Sequence, residues 1–280
     1  MEIFQYTFMQ YAFISGVVIG ALCPLIGVFL VLKNLSLIAD GIAHLSFGGL
    51  ALGIVLGLNP SIALMISSIL GGLGIDYVSR KTKLYGDTAT AIFLSTGLAL
   101  GIVIISLFRG MNININAYLF GSILTLTKGE LILTLIIGIL IIMSISLLYK
   151  GLFYITFDED SAKANGLPVE RLNIFFIVLS AVTIAISIRI SGILLVSALS
   201  VIPVATAIEI SNSFKMTIVI SIFVGIVSVL TGLFFSYYFN IASGGAIVLT
   251  NVIIFMISLL LKRFLGLFDH KIHNNKSYKT

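Results

Sequence analysis

Charged residues are scarce in this chain of 280 residues, with 16 basic and 11 acidic side chains. Hydrophobic residues make up 59% of the sequence and the mean hydropathy is +1.19, a composition that predicts a chain built mainly of membrane-spanning segments. The net charge of +5 is too small, and the chain too apolar, to indicate a nucleic-acid-binding protein. We therefore expect an all-α, polytopic membrane protein that contacts a lipid bilayer and no nucleic acid.

Motifs of several enzyme classes are also missing. Cys23 is the single cysteine, so it forms no internal disulfide, and its apolar surroundings indicate a buried, small hydrophobic residue. The sequence contains no Gly-x-x-x-x-Gly-Lys-Ser/Thr phosphate loop and no His-Glu-x-x-His zinc motif. The loops are too short for a nucleotide-binding domain, so we expect any ATP hydrolysis to belong to another polypeptide.

No basic residue precedes Lys33 and no clear cleavage site follows the first apolar stretch, so a removable signal peptide is not expected.

Apolar runs set the number of predicted crossings, because about 20 helical residues cover the hydrocarbon core. Nine runs are present, and the sixth and seventh are short and meet at a tight junction, Arg189 to Gly192. Nine crossings, or eight with one broken or re-entrant segment, fit this pattern. The runs are Phe8 to Leu32, Leu35 to Leu58, Ser61 to Val78, Thr88 to Phe108, Leu131 to Tyr149, Ile174 to Ile188, Ile190 to Ile208, Met216 to Phe239 and Ala246 to Leu261.

The distribution of lysine and arginine predicts the orientation. If the N-terminus is outside, 13 basic residues fall on the cytoplasmic side and three, Arg109, Lys128 and Arg189, fall opposite. Cytoplasmic loops carry an excess of basic residues, so we expect the N-terminus outside and the C-terminus in the cytoplasm. The external stretch from Asn112 to Thr127 is too short to span and predicts an interfacial or re-entrant helix.

Asp40 and His44 are four residues apart in the second apolar run. This spacing places both side chains on one helix face, and ionisable groups in a spanning helix usually face a protein interior or a water-filled path. Imidazole nitrogen with carboxylate oxygen suits zinc, manganese or iron, so a metal path is one interpretation. The other is that Asp40 is neutral or hydrogen-bonded to His44 or a neighbouring helix and only fixes helix packing. Two ligands do not complete a coordination sphere.

The longest polar stretch between runs, Phe157 to Pro168, has the signals of a short helix. Acidic residues open it, where they can cap the helix and meet its positive end, and Gly166 and Pro168 close it. A helix from about Glu159 to Asn165 is predicted. It is either a solvated connection between two spans or a lever that contacts a soluble partner.

Four segments in this order resemble the permease subunits of bacterial zinc, manganese and iron ATP-binding-cassette importers, of the ABC-3 type. The second-span match contains the Asp-x-x-x-His pair, and Phe157-Asp-Glu-Asp-x-Ala-x-x-x-Gly166 is similar to the family's coupling loop. Ala39, Ala43 and Gly245 differ from the residues frequent in the family, which leaves the metal preference open. The segments are Gly27 to Leu32 with Ser36 to His44, Phe157 to Gly166, Gly192 to Ala207, and Ala242 to Leu249.

The resemblance implies a function without an enzymatic activity of its own. The chain would be a multi-pass permease of the bacterial plasma membrane that pairs with a second copy, receives a divalent metal ion from an extracytoplasmic metal-binding protein, and is driven by cytoplasmic ATPase subunits that use ATP. It implies Asp40 and His44 as metal residues, and Asp158, Glu159, Ala162 and Gly166 as ATPase-coupling residues. The permease domain would span 1–264, with its coupling loop at 157–172, and 265–280 would be a cytoplasmic tail, which we expect to be disordered.

Two other classes of protein stay open. An ion-coupled secondary metal transporter would also need an intramembrane acid and histidine, but it would work without an ATPase and give the acidic loop no purpose. An intramembrane hydrolase would need a zinc motif or a paired acid and nucleophile, and the sequence shows neither. No cofactor bound by the chain itself is expected.

Overall fold

A computed structural model describes residues 5–82, 86–108, 115–122 and 126–276 of the chain. All the regular elements of the described residues are helices, which confirms the predicted all-α fold class. The helices are α1 (Thr7–Leu32), α2 (Ile38–Val55), α3 (Pro60–Lys81), α4 (Gly86–Leu107), α5 (Ile115–Phe120), α6 (Lys128–Phe157), α7 (Glu159–Ala164), α8 (Val169–Ser191), α9 (Val196–Ile210), α10 (Phe214–Phe239) and α11 (Ser243–Lys276).

Each of the nine predicted apolar runs corresponds to one helix, although the seventh run begins in the last two residues of α8 and continues through a turn into α9. Eight of these helices are long and apolar enough to cross a membrane, and the ninth, α9, has only 15 residues. The sixth run is not short in the structure. Helix α8 begins at Val169, five residues before Ile174, because Glu170 and Arg171 extend the helix beyond the apolar segment that hydropathy detects. The shortened segment of the pair is therefore α9, whose first residue follows a non-helical turn after Gly192.

Contacts at the helix ends define two ends of the bundle. At the first, which we call the Lys33 end, Lys33 contacts Glu159 and the ring of Phe214 packs against Phe157. At the second, which we call the Glu130 end, Glu130 pairs with Arg189. The chain reaches the opposite end with each successive long helix.

Helix α9 also joins the two ends. The turn before it lies against α5 at the Glu130 end, where Ile193 N–H donates to the carbonyl of Tyr118 at 2.9 Å. Near its last residue, Glu209 pairs with Lys262 of α11, five residues before α10 begins at Phe214 at the Lys33 end. Within the described residues, the chain thus passes between the two ends nine times. Helix α1 starts at the Glu130 end and α11 finishes at the Lys33 end.

Basic side chains are unequally divided between these ends. Lys128 and Arg189 lie at the Glu130 end, whereas Arg109 and Lys83 fall outside the described residues. The asymmetry predicted from the sequence is thus present in the folded chain. The basic side chains toward the Lys33 end are Lys33, Arg80, Lys81, Lys150, Lys163, Arg171, Lys215, Lys262 and Arg263.

Glycines allow the central helices to approach closely. A Cβ atom on Gly27 of α1 would lie 1.9 Å from the Ser200 carbonyl oxygen of α9, and one on Gly225 of α10 would lie 2.3 Å from the Gly20 carbonyl oxygen. Lipid tails are as apolar as the helix surfaces, so the hydrophobic effect does not hold helices together in a membrane. Small residues let the helices approach closely enough for van der Waals packing to do so. Cys23 is fully buried in this region, as predicted, and its Sγ lies 3.0 Å from Ser187 Oγ.

Two predictions about the ends of elements have different outcomes. The short helix predicted between Asn112 and Thr127 is present as α5, although 112–114 and 123–125 lie outside the described residues. Helix α11 continues to Lys276, and 277–280 lie outside the described residues, so the disordered tail expected after Phe264 stays a prediction. An existing helix extends by one residue at a time without a new nucleation cost.

Candidate functional site

Helix α2 places Asp40 and His44 one turn apart near the Lys33 end. The helix begins at Ile38, three residues after the start of the apolar run, so Asp40 lies in its first turn rather than at mid-depth. A carboxylate there meets the positive end of the helix dipole, which lowers the cost of placing it among apolar segments. The Asp40 residue is half-buried, and His44 is 8% exposed.

Neither side chain is held by a hydrogen bond from the rest of the described chain. The His44 Nδ1 atom is buried without a hydrogen-bond partner among these residues, and no described donor reaches the Asp40 carboxylate. A buried polar atom without a partner costs free energy, so it requires an explanation such as an absent ligand or water. The packing interpretation, in which Asp40 is hydrogen-bonded to His44 or to a neighbouring helix, lacks that hydrogen bond here.

The backbone around His44 is fixed by α4. A Cβ atom on Gly97 would lie 2.4 Å from the His44 carbonyl oxygen, and Thr90 packs against Gly41 one turn earlier along α2. On the other side of α2, Ser46 Oγ and Ser68 Oγ of α3 share a hydrogen bond of 2.6 Å. The helix that carries the two candidate ligands is therefore clamped between α3 and α4.

A complete metal site is not present in one described chain. No group of three or more His, Cys, Asp or Glu side chains lies close enough to hold a metal ion among the described residues. Asp40 and His44 together offer one carboxylate and one imidazole, whereas a zinc site needs about four ligands. Any cation bound here must take further ligands from water or from another chain.

The predicted coupling segment folds as expected into the short helix α7. Asp158 caps it, because its Oδ2 accepts the Ser161 hydroxyl and its Oδ1 accepts the Ser161 N–H at 2.9 Å. These two hydrogen bonds lower the pKa of the Asp158 carboxyl. At the other end Gly166 has φ +77°, and Leu167 N–H donates to the Ala162 carbonyl at 3.1 Å. Only glycine adopts this φ readily, so Gly166 ends the helix in the predicted C′ position.

The other two predicted coupling residues differ in burial, because the Glu159 side chain is 49% exposed. Ala162, within α7, is fully buried. Glu159 contacts Lys33, with 2.7 Å between Oε1 and Nζ, and accepts a hydrogen bond of 3.0 Å from Asn173 Nδ2. Burial raises the pKa of Glu159, but the Lys33 and Asn173 hydrogen bonds and the nearby Lys33 and Arg80 charges outweigh it and leave the pKa lowered.

Sequence reasoning missed Lys33 and Asn173 as parts of this segment. It used Lys33 only as a topology signal and gave Asn173 no role, because both are distant in sequence from Glu159 and neither belongs to a motif. It likewise missed the ion pair between Arg189 and Glu130 at the other end. The one available signal was Glu130 three residues after Thr127, a capping-box spacing that the structure shows to be formed.

Comparisons with known proteins agree over nearly the whole chain. The model of the ABC 3 transport family matches residues 5–262. The manganese transport system membrane protein MntC of Listeria monocytogenes is 37% identical over 267 residues, which cover 95% of each chain. The manganese import system permease protein ScaB of Streptococcus gordonii is 33% identical and covers 91% of each chain. The solved structure of PsaBC from Streptococcus pneumoniae in complex with Fab contains a similar chain, with TM-score 0.84, 33% identity and coverage of 95% and 96%.

Proposed function

This chain belongs to the ABC 3 transport family, and we propose that it is the permease of an ATP-driven importer of divalent transition metal ions, with manganese as the first cargo to test. As an ABC transporter permease of that family it is a multi-pass membrane protein. The family assignment does not fix the cargo. Relatives named as manganese permeases, at up to 37% identity, support manganese ahead of zinc or iron.

The observation that carries this proposal is the unpartnered pair in α2. Asp40 and His44 project from one helix face, and the buried Nδ1 of His44 has no partner among the described residues. Imidazole and carboxylate bind manganese, zinc and iron alike, so the donor set supports a transition metal as cargo rather than calcium or magnesium.

A second copy of the chain supplies what one copy lacks. Two permeases arranged around one path would contribute two carboxylates and two imidazoles, enough for one transient site. Such a site must release its ion, so we expect it to bind weakly and to act as a selectivity point.

The charge asymmetry supports the orientation of the chain. The Lys33 end carries most of the basic side chains, so in our proposal it faces the cytoplasm and exposes α7 to an ATPase subunit. The Glu130 end, with α5 and the start of α11, then faces an extracytoplasmic metal-binding protein.

Reconstitution tests the proposal. The permease is purified with its ATPase and metal-binding protein, placed in liposomes, and supplied with Mn²⁺ in the presence of competing Zn²⁺ or Fe²⁺. We expect uptake that requires ATP and all three components. Uptake by the permease alone, driven by an ion gradient, would instead support a secondary transporter, and absence of metal uptake in the complete, ATP-hydrolysing assembly would reject a metal cargo.

A further inference from the structure

Lys33 is a buried lysine at the junction of three helices. Its side chain is 8% exposed, and its Nζ donates to Glu159 Oε1 at 2.7 Å and to Asn173 Oδ1 at 2.6 Å. Since Asn173 Nδ2 also donates to Glu159, the three side chains close a ring of hydrogen bonds. The ring ties the end of α1 to α7 and to α8.

The burial of its lysine distinguishes this ring from an ordinary surface ion pair. Lys262 and Glu209 also pair at the Lys33 end, with side chains 58% and 35% exposed, whereas Lys33 is 8% exposed and its partner Glu159 is 49% exposed. Exposed pairs contribute little, because solvent screens the charges and two long side chains must be ordered. Burying an ammonium group without its acceptors costs far more free energy than breaking an exposed pair. The Lys33 side chain therefore keeps its contacts with Glu159 and Asn173.

Lys33 also joins α7 to the end of α1. Apart from it, α7 packs against α6 and α8. Beside α7 lies a cleft of about 290 Å³, lined by Arg80 and Leu35 among others. The side of α7 that faces α3 is thus open, and Lys33 spans the junction.

A stiff turn connects Lys33 to α2. Asn34 has φ 57°, its N–H donates to the Val31 carbonyl at 3.0 Å, and Leu35 N–H donates to the Leu30 carbonyl at 2.8 Å. These are the two hydrogen bonds of a Schellman motif, which fixes the direction of the chain after a helix. Ile38 N–H then donates to the Leu35 carbonyl at 3.0 Å, and Asp40 follows two residues later. No flexible linker separates Lys33 from the candidate metal residues.

We propose that Lys33 is the positioning residue that transmits a displacement of α7 to the start of α2, and so couples ATPase action to the exposure of Asp40 and His44. The proposal rests on the proposed function. When an ATPase subunit moves α7, Glu159 carries Lys33 with it, and the rigid turn shifts the first turn of α2. Lys33 contacts no metal and performs no chemistry.

The test measures the coupling ratio, the amount of Mn²⁺ taken up per ATP hydrolysed, in the reconstituted complex. Lys33→Met keeps much of the apolar stem and removes the charge. We expect it to lower the coupling ratio about fivefold or more, the lower range of typical coupling between sites, while ATP hydrolysis continues. The reversed pair Lys33→Glu with Glu159→Lys restores the link and should recover at least half of the ratio. Lys262→Met, which breaks the exposed pair at the same end, should leave the ratio unchanged.

The outcomes separate this proposal from the proposed function. If the wild-type complex takes up no Mn²⁺, the proposed cargo is wrong whatever the variants do. If the wild type transports and Lys33→Met stays within twofold of its coupling ratio, Lys33 is not the link. A parallel loss of hydrolysis, uptake and thermal stability without recovery in the reversed pair would show a purely structural role. Should Lys33→Met fail to assemble, Glu159→Gln, which keeps a hydrogen-bond acceptor but removes the charge, must still lower the ratio.

Discussion

Replacing Gly97 by alanine tests the packing that holds His44 in place. A Cβ atom at Gly97 would meet three backbone atoms of α2: the His44 carbonyl oxygen and Leu45 Cα at 2.4 Å, and Leu45 N at 2.5 Å. Side chains can rotate away from a clash, whereas backbone atoms in the middle of a helix cannot. The two helices must therefore separate.

The required movement sets the magnitude. Ordinary van der Waals contact begins near 3.4 Å, so α2 and α4 must move apart by about 1 Å at this level. Overpacking of this kind costs about 1–3 kcal/mol. For a chain of this length that corresponds to about 2–6 °C in the thermal midpoint. The displaced atom belongs to His44 itself, so we also expect weaker Mn²⁺ uptake.

The assay is thermal unfolding of the purified permease, with Gly245→Ala as the matched control. Gly245 also lies in a helix, and no atom lies within 4 Å of the position that its Cβ would take, so its replacement should leave the midpoint unchanged or raise it by up to about 2 °C. Equal midpoints for Gly97→Ala and Gly245→Ala would refute the close α2 to α4 contact on which the position of His44 depends.

Three further predictions concern charge. Metal binding needs an ionised Asp40 and a neutral His44, so the Mn²⁺ concentration for half-maximal uptake should rise as the pH on the loading side falls; a flat profile would contradict these ligands. The lowered pKa of Glu159 means that its contact with Lys33 stabilises the fold above the ordinary glutamate pKa and is lost as pH falls through the lowered value. The difference in thermal midpoint between wild type and Glu159→Gln should therefore shrink as the pH falls below the ordinary glutamate pKa; a difference that stays constant on acidification would refute this. Arg189→Met leaves Glu130 partly buried and unpaired, so it should cost about 2–3 kcal/mol, against less than about 1 kcal/mol for Lys262→Met; equal thermal midpoints would show that the Glu130 pair adds nothing.

Local patterns predicted the helices and the short coupling segment well. Hydropathy located all nine apolar runs, and Asp158, Gly166 and the acids between them defined α7 because capping depends on residues only a few positions apart. The same method placed the start of α8 five residues too late, since apolar windows do not register where a helix begins among polar residues.

Contacts between distant residues could not be predicted in this way. Lys33 is 126 positions from Glu159 and 140 from Asn173, and no spacing rule links them. The clash that Gly97 avoids is also invisible in sequence, because it depends on how α4 crosses α2. The candidate ligands came from residue type and spacing alone, and the unpartnered Nδ1 of His44 is what the structure adds.

The most direct test of the central claim is ATP-dependent Mn²⁺ uptake by the reconstituted complex carrying Asp40→Asn or His44→Ala. Asp87→Asn serves as the control, since it neutralises an exposed acid in the first turn of α4 at the same end of the bundle. We predict that both α2 variants assemble with the ATPase and lose uptake, while Asp87→Asn transports normally. Wild-type uptake by both Asp40→Asn and His44→Ala at matched protein levels would contradict the assignment of the metal path to this pair.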